Sequence, residues 1–257
     1  MALSTSALNL LKTQIWWSQE LSASRRFASK KPPPKFSAAA SHSSQQWLRR
    51  QHKDPYVVAA KLNRYRSRSA FKLLEMDDRF KLLQPGMTAL DCGAAPGSWT
   101  QVLVDRVNSL QSNPEQPIGT VIALDRDHME PIKGATIFPR ADITDPETKQ
   151  KINNALYRPR SVHVVLSDMS PNICGITSID HERIMVLLEN LLEYVVSDLL
   201  AVGGSFVCKF RQGPELKAFN EKLKFYFDTV KIVKPVASRK ESSESYFVAR
   251  MYKGETK

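Results

Sequence analysis

The chain has 257 residues, is 42% hydrophobic and 9% aromatic, and carries 37 Lys and Arg against 26 Asp and Glu, a formal net charge of +11. That composition supports a real core and excludes wholesale disorder, and three cysteines without a CxxC pair exclude a disulfide scaffold or a zinc ribbon. A globular chain this basic points to an anionic partner, either nucleic acid or a membrane surface.

The positive excess is confined to the first third. Residues 1–36 hold six Lys/Arg and one acid, residues 37–81 ten and four, and residues 82–257 twenty-one of each. The first segment is rich in Ser and Ala. Leu8, Leu11, Ile15 and Trp16 can form an apolar helical face opposite Lys12, Arg25 and Arg26, the composition of a mitochondrial presequence cleaved near residues 26–29. A disordered basic tail is the alternative. Pro32–Pro34 break any helix, and residues 37–46 read as a polar linker. No apolar run reaches the ~18 residues of a membrane span, so no span is expected. The expected organisation is a presequence and linker over 1–36, a basic extension with a first helix over 37–81, and the main domain over 82–257.

Residues 49–72 carry eight basic side chains with Tyr56, Tyr65 and Phe71 interleaved. Residues 67–80 read as a helix stopped by Gln84-Pro85-Gly86. A strand (88–91) and a helix (98–107) follow, then strands over 120–124 and 136–138, a helix over 146–156, and a continuous apolar strand over 162–166. A long helix over 180–200 is expected to end at Gly203-Gly204. A strand (205–210), a helix (215–227) and two final strands (229–233, 245–251) complete the pattern. The alternation predicts an α/β fold, a seven-stranded, mostly parallel sheet with helices on both faces. The last two strands have no helix between them and should pair antiparallel.

The first strand–helix turn, Asp91-Cys-Gly-Ala-Ala-Pro-Gly-Ser-Trp99, is glycine-bearing. Such a turn lets the backbone approach a ligand, and in a doubly wound sheet it is a usual nucleotide site. Its G-x-x-x-G spacing lacks the GxGxxG that cradles a pyrophosphate, which disfavours a dinucleotide. A tight turn without a ligand remains open. Asp125, Asp142 and Asp168 follow the second, third and fourth strands. Asp125 could accept bonds from ribose hydroxyls and Asp142 from an adenine amine, or each could serve as a helix cap or loop acid. The His residues show no metal-ligand spacing, Cys92 and Cys208 read as core residues, and no metal is expected.

Three motifs carry a resemblance. Asp91–Trp99, Ser167-Asp-Met-Ser-Pro-Asn172 and Ser238-Arg-Lys-Glu-Ser-Ser-Glu-Ser-Tyr246 resemble the FtsJ/RrmJ family of S-adenosylmethionine (SAM)-dependent rRNA ribose 2′-O-methyltransferases, over residues 56–252. With the presequence, the likeness is to its mitochondrial branch. The resemblance implies a Rossmann-like methyltransferase fold in which one strand of the seven-stranded sheet runs antiparallel. It implies the tetrad Lys72, Asp168, Lys209 and Glu244, with Lys209 as general base. It implies cofactor contacts at Gly93, Pro96, Gly97, Ser98, Trp99, Asp125, Asp142 and Asp168. The implied partner is mitochondrial large-subunit rRNA, naked or in an assembling subunit, with a uridine of the peptidyl-transferase region as target. The implied setting is the matrix and the expected state a monomer. Cys92, Ser98 and Arg211 depart from the family pattern.

The chemistry is an in-line displacement, so most of the acceleration is positional. A ribose hydroxyl attacks only as its proton is removed, and a lysine removes it only when neutral. Arg64, Arg66 and Arg68, just ahead of Lys72, are expected to track the RNA backbone.

Overall fold

A computed structural model describes residues 54–171, 174, 177–213, 215–239 and 241–254. The expected presequence, its cleavage region and the linker lie outside these residues. Asp54 opens the described chain as a helix cap, its carboxylate accepting from the Tyr56 amide at 3.0 Å ahead of Pro55 in the first turn. Helix α1 (Pro55–Leu62) follows, an element the basic composition of this stretch concealed. Helix α2 (Ala70–Phe80) ends at Lys81 in the left-handed region. It starts three residues later than expected, the chain ahead of it turning through i to i+3 bonds from the Ala70, Phe71 and Lys72 amides to the carbonyls of Ser67, Arg68 and Ser69.

The body runs β1 (Thr88–Cys92), α3 (Ser98–Arg106), β2 (Thr120–Asp125), β3 (Ala135–Pro139), α4 (Pro146–Ala155), β4 (Val162–Ser167), α5 (Thr177–Tyr194), β5 (Leu200–Arg211), α6 (Leu216–Tyr226), β6 (Phe227–Val233) and β7 (Glu244–Tyr252). The sheet order is β3-β2-β1-β4-β5-β7-β6. Only β7 runs antiparallel, between β5 and β6, as the missing crossover helix requires.

Successive strand residues face opposite sides of the sheet. Ala89, Val164, Leu166, Val207, Tyr246 and Val248 face a core shared with Phe71, Leu73 and Met76 of α2 and Trp99 and Leu103 of α3. Leu90, Cys92, Val165, Phe206, Cys208 and Phe247 face the core formed with α4, α5 and α6. The helices of the basic segment therefore belong to the core of the sheet.

One expectation fails. The helix over 180–200 was to end at Gly203-Gly204, but α5 ends at Tyr194, a π-turn covers Val195–Leu199, and β5 begins at Leu200. The glycine pair lies inside β5, where the register against β4 shifts. An apolar run such as Val195–Val202 suits a helix or a strand equally. Pairing with β4 decides it.

Candidate active site

The carboxyl ends of β1, β2 and β4 open onto a cleft of about 870 Å³. Gly93, Asp125, Asp142 and Asp168 line it, together with Ala95, Met169 and Ser170 and, from α5, Glu182 and Asn190. Ligands bind along this edge of open α/β sheets. Gly93 has φ +77°, and a Cβ there would lie 2.5 Å from Met169 Cγ, so only glycine lets the β1 turn pass under the β4 loop.

The acids at the strand ends are held open by backbone amides. Asp125 Oδ2 accepts from the Ala95 amide and Oδ1 from the Asp127 amide, both at 2.8 Å. Asp142 Oδ1 accepts from the Thr144 amide at 2.9 Å and the Thr144 hydroxyl at 2.7 Å, while Arg126 lies 3.5 Å from Oδ2. Partial burial pushes the Asp142 carboxyl up, but the two Thr144 bonds and Arg126 outweigh it and hold it below the usual range.

The cofactor residues expected at 96–99 are placed differently from Gly93. The side chains of Ser98 and Trp99 point into the interior. Ser98 Oγ lies 2.8 Å from Ser67 Oγ, and Trp99 Nε1 donates to the Ser69 carbonyl at 2.8 Å. What residues 98 and 99 can offer a ligand is the backbone N–H groups that open α3, whereas the Gly97 amide already donates to the Ala94 carbonyl at 2.6 Å.

Four elements converge beside the cleft. Lys72 on α2 pairs with Glu244 at the start of β7, Nζ to Oε1 2.7 Å. Lys209 on β5 pairs with Asp168 after β4, Nζ to Oδ1 3.1 Å, and also donates to the Asp168 carbonyl. Sequence reasoning left out the group that joins the two pairs, Tyr246. Its hydroxyl donates to Asp168 Oδ1 at 2.7 Å and accepts from Lys72 Nζ at 3.3 Å. Alternation along β7 could have found it, since residue 246 must share a face with 244. Ser69 Oγ completes the ring by donating to Asp168 Oδ2 at 3.1 Å.

Burial raises the Asp168 carboxyl, but Lys209 and Lys72, with the bonds from Tyr246 and Lys209, reverse this and hold it below the ordinary carboxylate range. Tyr246 is pushed well above the usual phenol by burial first, then by Asp168 and Glu244. It therefore stays a neutral donor. Beneath the site, Asp91 is wholly buried, with Thr100 donating to Oδ2 at 2.7 Å and no hydrogen-bond partner at Oδ1. Burial, only partly offset by the Thr100 bond, moves it to about 7. Cys92 and Cys208 are buried with thiols pushed up by desolvation, as core residues should be.

Two of the three arginines expected to meet RNA hold bonds to other parts of the chain. Arg66 donates to the Pro96 and Glu130 carbonyls at 2.8 Å and to the Pro131 carbonyl at 2.9 Å. Arg68 pairs with Asp54, donates to the Ala237 carbonyl and lies over the Tyr56 ring. Both guanidiniums thus already have partners within the protein. Arg64 is exposed.

A model of the FtsJ-like methyltransferases matches residues 65–252. The chain belongs to this family. The match spans every strand and the whole ring of side chains from Ser69 to Tyr246. Among FtsJ-like relatives, "rRNA methyltransferase 2, mitochondrial" of Drosophila melanogaster is 43% identical over 212 residues, 82% of this chain and 84% of that protein. "Ribosomal RNA large subunit methyltransferase E" of Gluconobacter oxydans is 45% identical over 211 residues, 82% of this chain and 74% of the relative. A Plasmodium falciparum structure described as a ribosomal RNA methyltransferase superposes with a TM-score of 0.65 at 25% identity, covering 74% of this chain and all of that one.

Proposed function

We propose that this FtsJ-like enzyme transfers a methyl group from SAM to a ribose 2′-hydroxyl of mitochondrial large-subunit rRNA. The observation that carries the reading is the convergence of Lys72, Asp168, Lys209 and Glu244 at the rim of a glycine-floored, carboxylate-lined cleft.

The cleft fits SAM. Asp125 keeps accepting capacity for ribose hydroxyls beyond the two amides it already serves, and Asp142 does so for an adenine amine. Asp168, held anionic, suits a cationic sulfonium nearby. When bound, SAM supplies an electrophilic methyl carbon on that sulfur.

The residues of the chain do the rest. Lys209, once its ammonium has released a proton to solvent, accepts the proton of the 2′-hydroxyl as the O–C bond forms and the C–S bond breaks. Asp168 then faces the resulting ammonium, and its backbone carbonyl holds the same nitrogen in place. Lys72 is aimed by Glu244 and Tyr246 and can donate to the ribose oxygen. Alignment accounts for the remaining gain.

Arg64 is the candidate contact for the RNA backbone, and the target is a uridine of the peptidyl-transferase region. The presequence composition, together with a mitochondrial relative, supports import into the matrix. Among the described residues, no helix is long and apolar enough to cross a membrane. We assign the protein a monomeric working state.

The test is to supply methyl-labelled SAM with deproteinised large-subunit rRNA or assembling subunits and to map ribose methylation by position. One new 2′-O-methyl group, absent with Lys209→Met, is expected. Label on a base, or none on either substrate, overturns the reading.

A further inference from the structure

The loop after β2 and the turn after β1 form adjacent walls of the cleft. Gly93 and Ala95 come from the turn, and Asp125, Arg126 and Asp127 from the end of β2 and its loop. On the cleft side the two are tied by the Ala95 amide, which donates to Asp125 Oδ2 at 2.8 Å, and by the Gly93 and Ala94 amides, which donate to the Leu124 carbonyl at 3.0 and 3.1 Å. Outside it they are tied by Arg66.

The Arg66 guanidinium reaches the Pro96 carbonyl of the turn and the Glu130 and Pro131 carbonyls of the loop, at 2.8, 2.8 and 2.9 Å. Its position depends on the glycine of the turn. Gly97 has φ +109°, and a Cβ there would lie 2.8 Å from Arg66 Nη1, 2.7 Å from Ile132 Cδ1 and 3.2 Å from Met129 Sδ. Met129 is itself buried, against Ala94 and Ala123. The Arg66 backbone is fixed as well, because its amide donates to Gln101 Oε1 on α3 at 2.8 Å, while Gln101 Nε2 donates to the Arg64 carbonyl at 2.9 Å. Three residues on, Ser69 holds Asp168.

We infer that Arg66 is a positioning residue for the cofactor, fastening the glycine turn to the loop after β2 so that Ala95 and Asp125 stand at the spacing the ligand needs. A planar guanidinium can bridge three carbonyls on two segments, and a lysine ammonium has neither the span nor the fixed fork to do so. This role rests on the SAM reading above, and it gives Arg66 no part in RNA binding.

The experiment measures binding of S-adenosylhomocysteine by calorimetry, KM for SAM and for rRNA, kcat and thermal melting, for wild type, Arg66→Met, Arg66→Lys and Gln101→Ala. The expected result is a ~10-fold weaker S-adenosylhomocysteine affinity and a matching rise in KM for SAM in Arg66→Met, as for the loss of one cluster of charge-assisted bonds. KM for rRNA and its salt dependence should hold, kcat at saturating SAM should change little, and Arg66→Lys should not rescue. Gln101→Ala keeps the guanidinium but frees its backbone anchor. It should shift the same two quantities less, and it carries the test if Arg66→Met does not fold.

Weaker rRNA binding with unchanged S-adenosylhomocysteine affinity overturns the inference. So does a lowered melting point and kcat with unchanged cofactor affinity. A wild-type protein that binds neither SAM nor S-adenosylhomocysteine overturns the functional reading itself. A wild type that binds, with all three variants its equal, overturns only the inference.

Discussion

The cofactor cleft and the tetrad share Asp168 but are held together by different forces. In the cleft, Asp125 and Asp142 are pinned by amides two residues away or in the neighbouring turn, and they stay open to water, Asp142 with 39% of its side chain exposed. In the tetrad, charges from α2, β4, β5 and β7 pair across the fold, with side chains only 11–21% exposed. Coulomb forces there act with little screening. The cleft should therefore respond to mutation in modest, separable steps. The tetrad should respond as a unit.

The sharpest break in that contrast is Lys209→Met. Removing the base should lower kcat by about 10³-fold, within the range for general-base loss, while S-adenosylhomocysteine affinity stays near wild type in a calorimetric titration. A comparable loss of affinity would merge the two regions and end the distinction.

Tyr246→Phe asks whether the tetrad is coupled. Without the hydroxyl, Asp168 loses a donor and Lys72 an acceptor, at a cost of about 1–3 kcal/mol in stability, and kcat should fall roughly 10-fold. In a double-mutant cycle with Lys72→Met, measured by kcat, the two changes should be clearly non-additive. Additive effects would mean that the ring of bonds is incidental.

Asp91 lies under both regions and titrates oppositely to Asp168. Its folded value of about 7 exceeds the ordinary 3.8, so the native state holds its proton more tightly than the unfolded chain. Stability from this group is full below pH 3.8, declines as pH rises toward 7 and stays low above that. Asp91→Asn has no such titration. Its melting temperature, relative to wild type, should therefore rise between about pH 4 and pH 7, the window set by these two values. A flat difference across that window would refute the assignment. Asp168 has the reverse sign. Its depressed value gives stability that is present above the ordinary carboxylate range and lost only as pH falls through the folded value.

The smallest expected effect is Arg64→Gln. It should weaken rRNA binding about two- to threefold and reduce the salt slope by about 1, leaving cofactor affinity unchanged. Filter binding across a salt series reads both. An unchanged slope would leave the RNA path without its one exposed arginine from the 64–68 stretch.

The order of strands and helices was legible because buried parallel strands are apolar runs and their turns carry glycine. The antiparallel last strand followed from the missing crossover. The tetrad side chains were legible only through motifs, since nothing in the spacing of residues 72, 168, 209 and 244 brings them together. The 195–202 run was misread because its hydrophobicity suits either secondary structure.

By itself, then, the sequence determined the sheet, the glycine turn and the acids at the strand ends, all local consequences of propensity and period. Tertiary structure alone decided the partner of each charge. The arginines illustrate it. The chain 64–68 reads as one basic stripe, yet Arg66 turns to the carbonyls of two loops and Arg68 to Asp54 and Ala237. A charge count cannot separate these fates, because the acceptors a guanidinium meets are presented by distant parts of the fold.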